Sequence, residues 1–205
     1  MLTKLASHIP IRYWGHRAID LPVLLKWEKV PRGTRVLEVG CGSGKISRYL
    51  VDRLHCKTYT GVDISPQMIA QAEAGTHRDT RLIFQVADAQ KLPFDDGSFD
   101  AVIVMDLLHH LKNWKKAVRE IHRVLKDGGK FLLKDYSIET FALPGLGHFL
   151  QNFLDHPYEA MYNQVELLSF IRKNGFAITH QNDSAWMMLL TAVKTADDRP
   201  SEGII

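Results

Sequence analysis

The sequence predicts an α/β fold: a doubly wound, mostly parallel sheet with helices on both faces. Three observations predict it. Short hydrophobic runs alternate with stretches of helical period along most of the chain, the pattern of βαβ units. The run from Val36 to Val39 is followed by glycines at alternate positions, Gly40, Gly42 and Gly44, and then by a helical pattern. Asp63, Asp88 and Asp106 stand at or just beyond the ends of the next three runs, where sheets of this kind bind ligands.

Taken in order, residues 1–30 read as a helical, amphipathic segment in which Ile19, Val23, Leu24 and Trp27 recur at helical spacing. Pro31-Arg32-Gly33 is a turn, and residues 34–39 form a strand apolar on both faces, as a central parallel strand is. Ile46, Leu50 and Leu54 mark a helix packed on the sheet. A second strand, 58–62, ends at Asp63. Ser65 and Pro66 then start a helix that Gly75 stops. Strands at 81–86 and 101–105 follow. Asn113 caps a helix that buries Ala117 and Ile121, and a fifth strand spans 130–135 after the turn Asp127-Gly128-Gly129.

Residues 136–162 are too long for a simple connection. Leu146, Phe149, Leu150, Phe153 and Leu154 give them an amphipathic helix of their own. A helix over 164–173 and two closing strands, 176–179 and 186–193, complete the chain, with a frayed polar tail from Thr195. The whole, 1–205, reads as one domain.

Composition narrows the function classes. With 45% hydrophobic and 24% charged residues the chain has the makeup of a globular protein, and a net charge of +3 does not mark a nucleic-acid binder. No apolar run approaches the roughly 18 residues of a membrane span, and there is no signal-peptide core. Lys4, Arg12 and Arg17 precede the first acid, Asp20, and read as an ordinary basic leader rather than a transit peptide. Two cysteines, one inside the glycine loop, suit a reduced, cytoplasmic setting.

The ligand follows from spacing. Asp63 lies 19 residues after Gly44, close to the distance at which an acid meets ribose hydroxyls in dinucleotide-binding folds. Yet the loop is G-x-G-x-G, not G-x-G-x-x-G. Glu38, just before the loop, would repel a pyrophosphate but suits a ligand with cationic groups, such as the ammonium and sulfonium of S-adenosylmethionine. A nicotinamide-dependent oxidoreductase therefore remains only as a competing reading.

With these residues in place, the stretch from Val36 to Gly44 resembles the first motif of the class I S-adenosylmethionine-dependent methyltransferases. Gly61–Ser65 resembles the acidic second-strand motif, Ala87–Phe94 with Phe99–Val102 the next two, and Leu125–Phe131 the entry to the fifth strand. The resemblance runs from about Thr34 to Asp135 and is nearest to the small-molecule branch that includes ubiquinone and menaquinone biosynthesis enzymes. It implies a Rossmann-like sheet of seven strands, mostly parallel with an antiparallel last strand. It also implies roles: Gly40, Cys41, Gly42 and Gly44 around the methionine part of the cofactor, with Glu38 holding the loop. Asp63 would take the ribose and Ile64 the adenine face. Asp88 and Ala89 would meet the adenine edge, and the chain at Met105 the methionine ammonium. Ile64 as ordinary core and Cys41 as a small loop filler are the plainer alternatives.

Methyl transfer needs a nucleophile aligned about 3–3.5 Å from the methyl, and a base only if the nucleophile must lose a proton. His109 and His110, after the fourth strand, are the candidates for that base, with a loop-orienting role as the alternative. Tyr136, Phe149 and Phe153 are candidate substrate-pocket residues, and the aromatic-rich segment 136–162 the candidate cover over a hydrophobic or aromatic small molecule. The segment Met105–His110 lacks the Asp-Pro-Pro-aromatic type of motif used on nucleic-acid bases. Asp106 and Asp135 fit part of a catechol-type Mg²⁺ site, but Tyr136 stands where that site has Asn, so no metal is expected. Lys112, Lys115, Lys116, Arg119, Arg123 and Lys126 form a basic stripe, read as a solvated face with peripheral docking on anionic lipid as the alternative. A non-catalytic cofactor-binding partner or sensor is the second functional reading. The oligomeric state is not legible in the chain.

Overall fold

The computed structural model describes residues 19–75, 79–141, 162–182, 184 and 187–196. Its seven-stranded sheet comprises β1 (Arg35–Val39), β2 (Thr58–Asp63), β3 (Leu82–Val86), β4 (Phe99–Met105), β5 (Leu125–Asp135), β6 (Phe176–Gln181) and β7 (Met188–Lys194). The spatial order is β3-β2-β1-β4-β5-β7-β6. The pairings from β3 across to β5 are parallel, and β7 is antiparallel to both its neighbours. The helices are α1 (Leu21–Trp27), α2 (Lys45–Leu54), α3 (Pro66–Ala74), α4 (Trp114–Val124), α5 (Ile138–Phe141) and α6 (Gln164–Lys173), with a short 3₁₀ turn at Leu108–His110.

Two apolar clusters cover the two faces of the sheet. One joins Leu37, Val102, Val104 and Leu133 to α4 and α6 through Val118, Ile121, Leu167 and Ile171. The other joins Val36, Tyr59, Ile103 and Leu132 to α1 and α2 through Leu24, Leu50 and Leu54. Alternate residues of β1 thus serve opposite layers, which is why that strand is apolar throughout. Side-chain caps start three helices: Ser65 accepts from Met68 N–H, Asn113 from Lys116 N–H and Asn163 from Glu166 N–H.

Several expectations shift. Helix α1 buries Leu24 and packs Val23 and Trp27 on the core as expected, but Leu21 rather than Ile19 is its further buried residue, and Ile19 is exposed. Strand β5 begins at Leu125 rather than 130, because Leu125 already pairs with Phe99 before the register shifts. Thr195, the first residue of the expected frayed tail, is tied to the Gly175 carbonyl by its N–H at 2.9 Å and its hydroxyl at 3.0 Å, and residues 197–205 of that tail lie outside the described residues. Phe149, Phe153 and most of the 136–162 insertion lie outside the described residues, as do residues 1–18 and Trp186. Among the described residues no helix is long and apolar enough to cross a membrane.

The basic stripe on α4 makes many contacts within the chain. Lys115 pairs with Glu166 at 2.7 Å and Arg119 lies over the Phe170 ring. Lys126 pairs with Asp100. Arg123 binds Glu120, Asp96 and the carbonyls of Leu92 and Phe94, while Glu120 accepts from Leu92 N–H at 2.8 Å. This bracket fastens α4 to the β3–β4 connection that carries Asp88. The Arg123 hydrogen bonds hold the Glu120 carboxyl below its ordinary 4.5, against the effect of burial. Its contribution to stability is therefore complete above that value and lost as pH falls through the lowered one. Replacing Glu120 by Gln is expected to lower Tm at neutral pH, and the gap to the unaltered protein should narrow as pH falls below 4.5 in thermal melts.

Candidate active site

The site forms where β1, β2, β4 and β5 end. After β1 the chain turns back over β2: Gly40 N–H and Cys41 N–H both donate to the Val62 carbonyl, at 2.8 and 2.9 Å. Gly40, Gly42 and Gly44 all have positive φ, 82°, 51° and 70°. At Gly44 a second constraint acts, since a Cβ would stand 2.8 Å from Phe84 and 2.9 Å from Ala72. Helix α2 can therefore approach β3 and α3 only with glycine at its start.

Glu38 is 2% exposed. Its Oε2 accepts from Ser47 Oγ at 2.5 Å and Tyr59 Oη at 3.0 Å, tying β1 to the first turns of α2 and to β2. Burial and then the Glu38 charge push the Tyr59 phenol well above its ordinary pKa, so it stays a donor. Burial and the charges of Glu38 and Asp63 likewise push the Cys41 thiol far up, which makes it inert lining rather than a nucleophile.

Asp63 braces the other side. Its Oδ2 accepts from Gly42 N–H and its Oδ1 from Ser65 N–H, both at 2.9 Å. Each oxygen keeps a further acceptor position for a hydroxyl pair. Beside it Ile64 is 70% exposed, which removes the core reading for that residue. Asp88 accepts from Gln90 N–H at 2.8 Å, next to the buried Ala89. Nothing stands within 4 Å of the position a Cβ would take on Gly42. A glycine loop with open space at Gly42, an acid with spare acceptor positions and an exposed apolar side chain fit a nucleoside carrying an amino-acid tail. Gly40, Gly42, Asp63, Ile64 and Asp88 are the residues that would hold it.

At the ends of β4 and β5, neighbouring residues diverge. Met105 is 7% exposed, and Asp106 follows with φ 54°. Lys134, opposite Met105, donates to Asp106 Oδ1. Asp135, pointing the other way, accepts from Leu108 N–H and Tyr136 N–H, each at 2.7 Å, and faces His109 Nδ1. His109 is 4% exposed, with the Tyr136 ring edge-on at 5.5 Å and the exposed His110 ring at 4.0 Å. Thus Asp106 and Asp135, both acids of the weighed metal set, meet Lys134 and His109. Asp135 was read only as part of that set, yet it stands at a strand end like the other three acids, so a signal for it existed. Lys134, Ser47 and Tyr59 had none.

The arrangement is a doubly wound α/β domain with a glycine loop and acids over its strand ends and a histidine–carboxylate pair beside them. Residues 37–133 match the family described as methyltransferase domain. The chain is 33% identical over 137 residues to the demethylmenaquinone methyltransferase of Thermus thermophilus, covering 66% of this chain and 60% of that protein. It is 34% identical over 107 residues to the 27-O-demethylrifamycin SV methyltransferase of Amycolatopsis mediterranei, covering 51% of this chain and 39% of that one. The solved structure of a Haloferax volcanii methyltransferase with the Trm112 methyltransferase activator shares the fold, with TM-score 0.76, 23% identity, and 95% and 98% of the two chains covered. Residues 37–133 thus resemble a methyltransferase domain, the fold is shared with a solved S-adenosylmethionine-dependent methyltransferase of Mesorhizobium loti, and the chain spans 60% of the length of the quinone relative.

Gly44→Ala is expected to cost roughly 1–3 kcal/mol, from the positive φ and the clash with Phe84 and Ala72. Chemical denaturation checks it. Cys41 is expected to resist iodoacetamide at pH 8 in the folded protein and to react once it is unfolded, measured by mass spectrometry.

Proposed function

We propose that this protein methylates a hydroxyl on a small hydrophobic or aromatic acceptor, with His109 as the base. The observation that carries the proposal is the His109–Asp135 pair at the ends of β4 and β5. Asp135 is a carboxylate acceptor, so the proton between them belongs to His109 Nδ1, and Nε2 becomes the ring's accepting nitrogen. Asp135 also accepts two backbone N–H groups, which fix it and the orientation of the ring. When bound, S-adenosylmethionine supplies a methyl group already activated on sulfur, so the protein has to align the acceptor and take its proton. Tyr136, edge-on to His109, walls one side of that position. Support for a hydroxyl acceptor comes from the rifamycin relative, whose name gives its substrate as a 27-O-demethyl compound, with an oxygen free to take a methyl group. Support for a lipophilic acceptor comes from the quinone relative and from the aromatic residues of 136–162, Phe149 and Phe153 among them.

Calorimetry with S-adenosylmethionine should give binding that Asp63→Ala weakens by about tenfold or more, because the loop loses its Gly42 brace and the ribose its acceptor. Binding unchanged in that variant would sink the assignment of Asp63. In an acceptor screen with labelled S-adenosylmethionine and product masses, His109→Asn should lower turnover by about 10²–10⁴-fold with cofactor affinity unchanged. Cofactor binding without transfer to any acceptor would favour a non-catalytic partner or sensor.

A further inference from the structure

We propose that the buried Lys134–Asp106 ion pair is a positioning device, which holds the turn after β4 in the backbone conformation that serves the cofactor loop and the base together. The inference rests on the proposed methyl-transfer reading of the site.

Asp106 is one of two non-glycine residues with positive φ among the described residues, and it directs the chain as it leaves β4. Such a conformation is disfavoured for a residue with a Cβ and persists where the surroundings impose it. Here the surroundings are Lys134. Its carbonyl accepts from Asp106 N–H at 2.9 Å, and its ammonium donates to Asp106 Oδ1. The two side chains are 1% and 0% exposed. On its other side the ammonium lies 3.6 Å from the centre of the Tyr136 ring. Burial alone would discharge the lysine, but Asp106 and Tyr136 more than offset it and keep its pKa raised.

The turn has two consequences. Leu107 is thrown against the glycine loop, so that a Cβ on Gly40 would meet its side chain at 3.1 Å. Leu108 N–H and His109 Nδ1 then fall on Asp135. Successive residues of β5 therefore pin both ends of one short turn, Lys134 at residue 106 and Asp135 at residues 108 and 109. Stability alone does not explain the pair, since an apolar pair of similar volume is commonly as stable or more so.

The test compares Asp106→Asn and Lys134→Met/Asp106→Asn with the unaltered protein. Neither variant leaves a buried carboxylate without its partner, and Asn still tolerates positive φ. The double variant is expected to melt near the unaltered protein, and Asp106→Asn, which leaves the buried Lys134 without its countercharge, to melt lower; both, where folded, should bind S-adenosylmethionine about tenfold more weakly, because the turn now samples other conformations. The low-field Nδ1 proton signal of His109 should broaden or vanish in both. A variant that folds with unaltered affinity and an unaltered His109 signal would overturn the proposal. If the double variant fails to fold, Asp106→Asn alone decides by the same two readouts. Failure of the unaltered protein to bind S-adenosylmethionine would instead count against the reading on which the proposal rests.

Discussion

A carboxylate buried in a central strand must find donors, and the choice of donors for Glu38 organises the cofactor half of the molecule. Leaving that charge without partners would cost several kcal/mol. Ser47 and Tyr59 supply hydrogen bonds, one from the helix that follows the glycine loop and one from the neighbouring strand. Satisfying Glu38 therefore also sets the distance between β1, β2 and α2. The glycine loop spans that fixed gap, and its N–H groups fold back onto Val62 and Asp63 because the gap is short. The loop's shape is thus a consequence of a buried charge beneath it.

Four acids stand at strand ends, and the structure divides them by what faces them. Asp63 accepts from Gly42 N–H of the glycine loop and from Ser65 N–H, Asp88 from the backbone and amide of Gln90, and both are partly exposed. Asp106 and Asp135 are buried and face Lys134 and His109. In the proposed function the first two meet the cofactor. The second two shape a turn and aim a ring. A strand end thus supports recognition on one side of the sheet and positioning on the other.

The fold was legible in the sequence wherever periodicity and punctuation agreed. Ile46, Leu50 and Leu54 are all buried on one face of α2, and Ser65 and Asn113 cap the helices they precede. Legibility failed where tertiary contacts overrode pattern. Ile19 looks like core by spacing, yet the partners of α1 lie beneath Leu21 and Leu24. Leu125 pairs with Phe99 although Asp127-Gly128-Gly129 reads as a turn, because the chain bulges and then rejoins the same strand. In the site, the glycines and Asp63 announce themselves by spacing. Lys134 does not, because a lysine in a strand otherwise marks an exposed position. Arg123 looked like one member of a solvated stripe, while the structure ties it to the Asp88 connection.

The strand order carries a consequence for biosynthesis. Strand β5 pairs with β7, not with β6, although β6 is made first. On the ribosome, one edge of β5, whose stretch Phe131–Asp135 is buried in the folded protein, must wait until more than 50 further residues have emerged (Asp135 to Met188). During that interval the parallel half can assemble, but it presents an open strand edge of the kind that seeds aggregation. The nascent chain is therefore most exposed to misassociation late in synthesis, and Leu189 and Leu190 on β7 are what end that exposure.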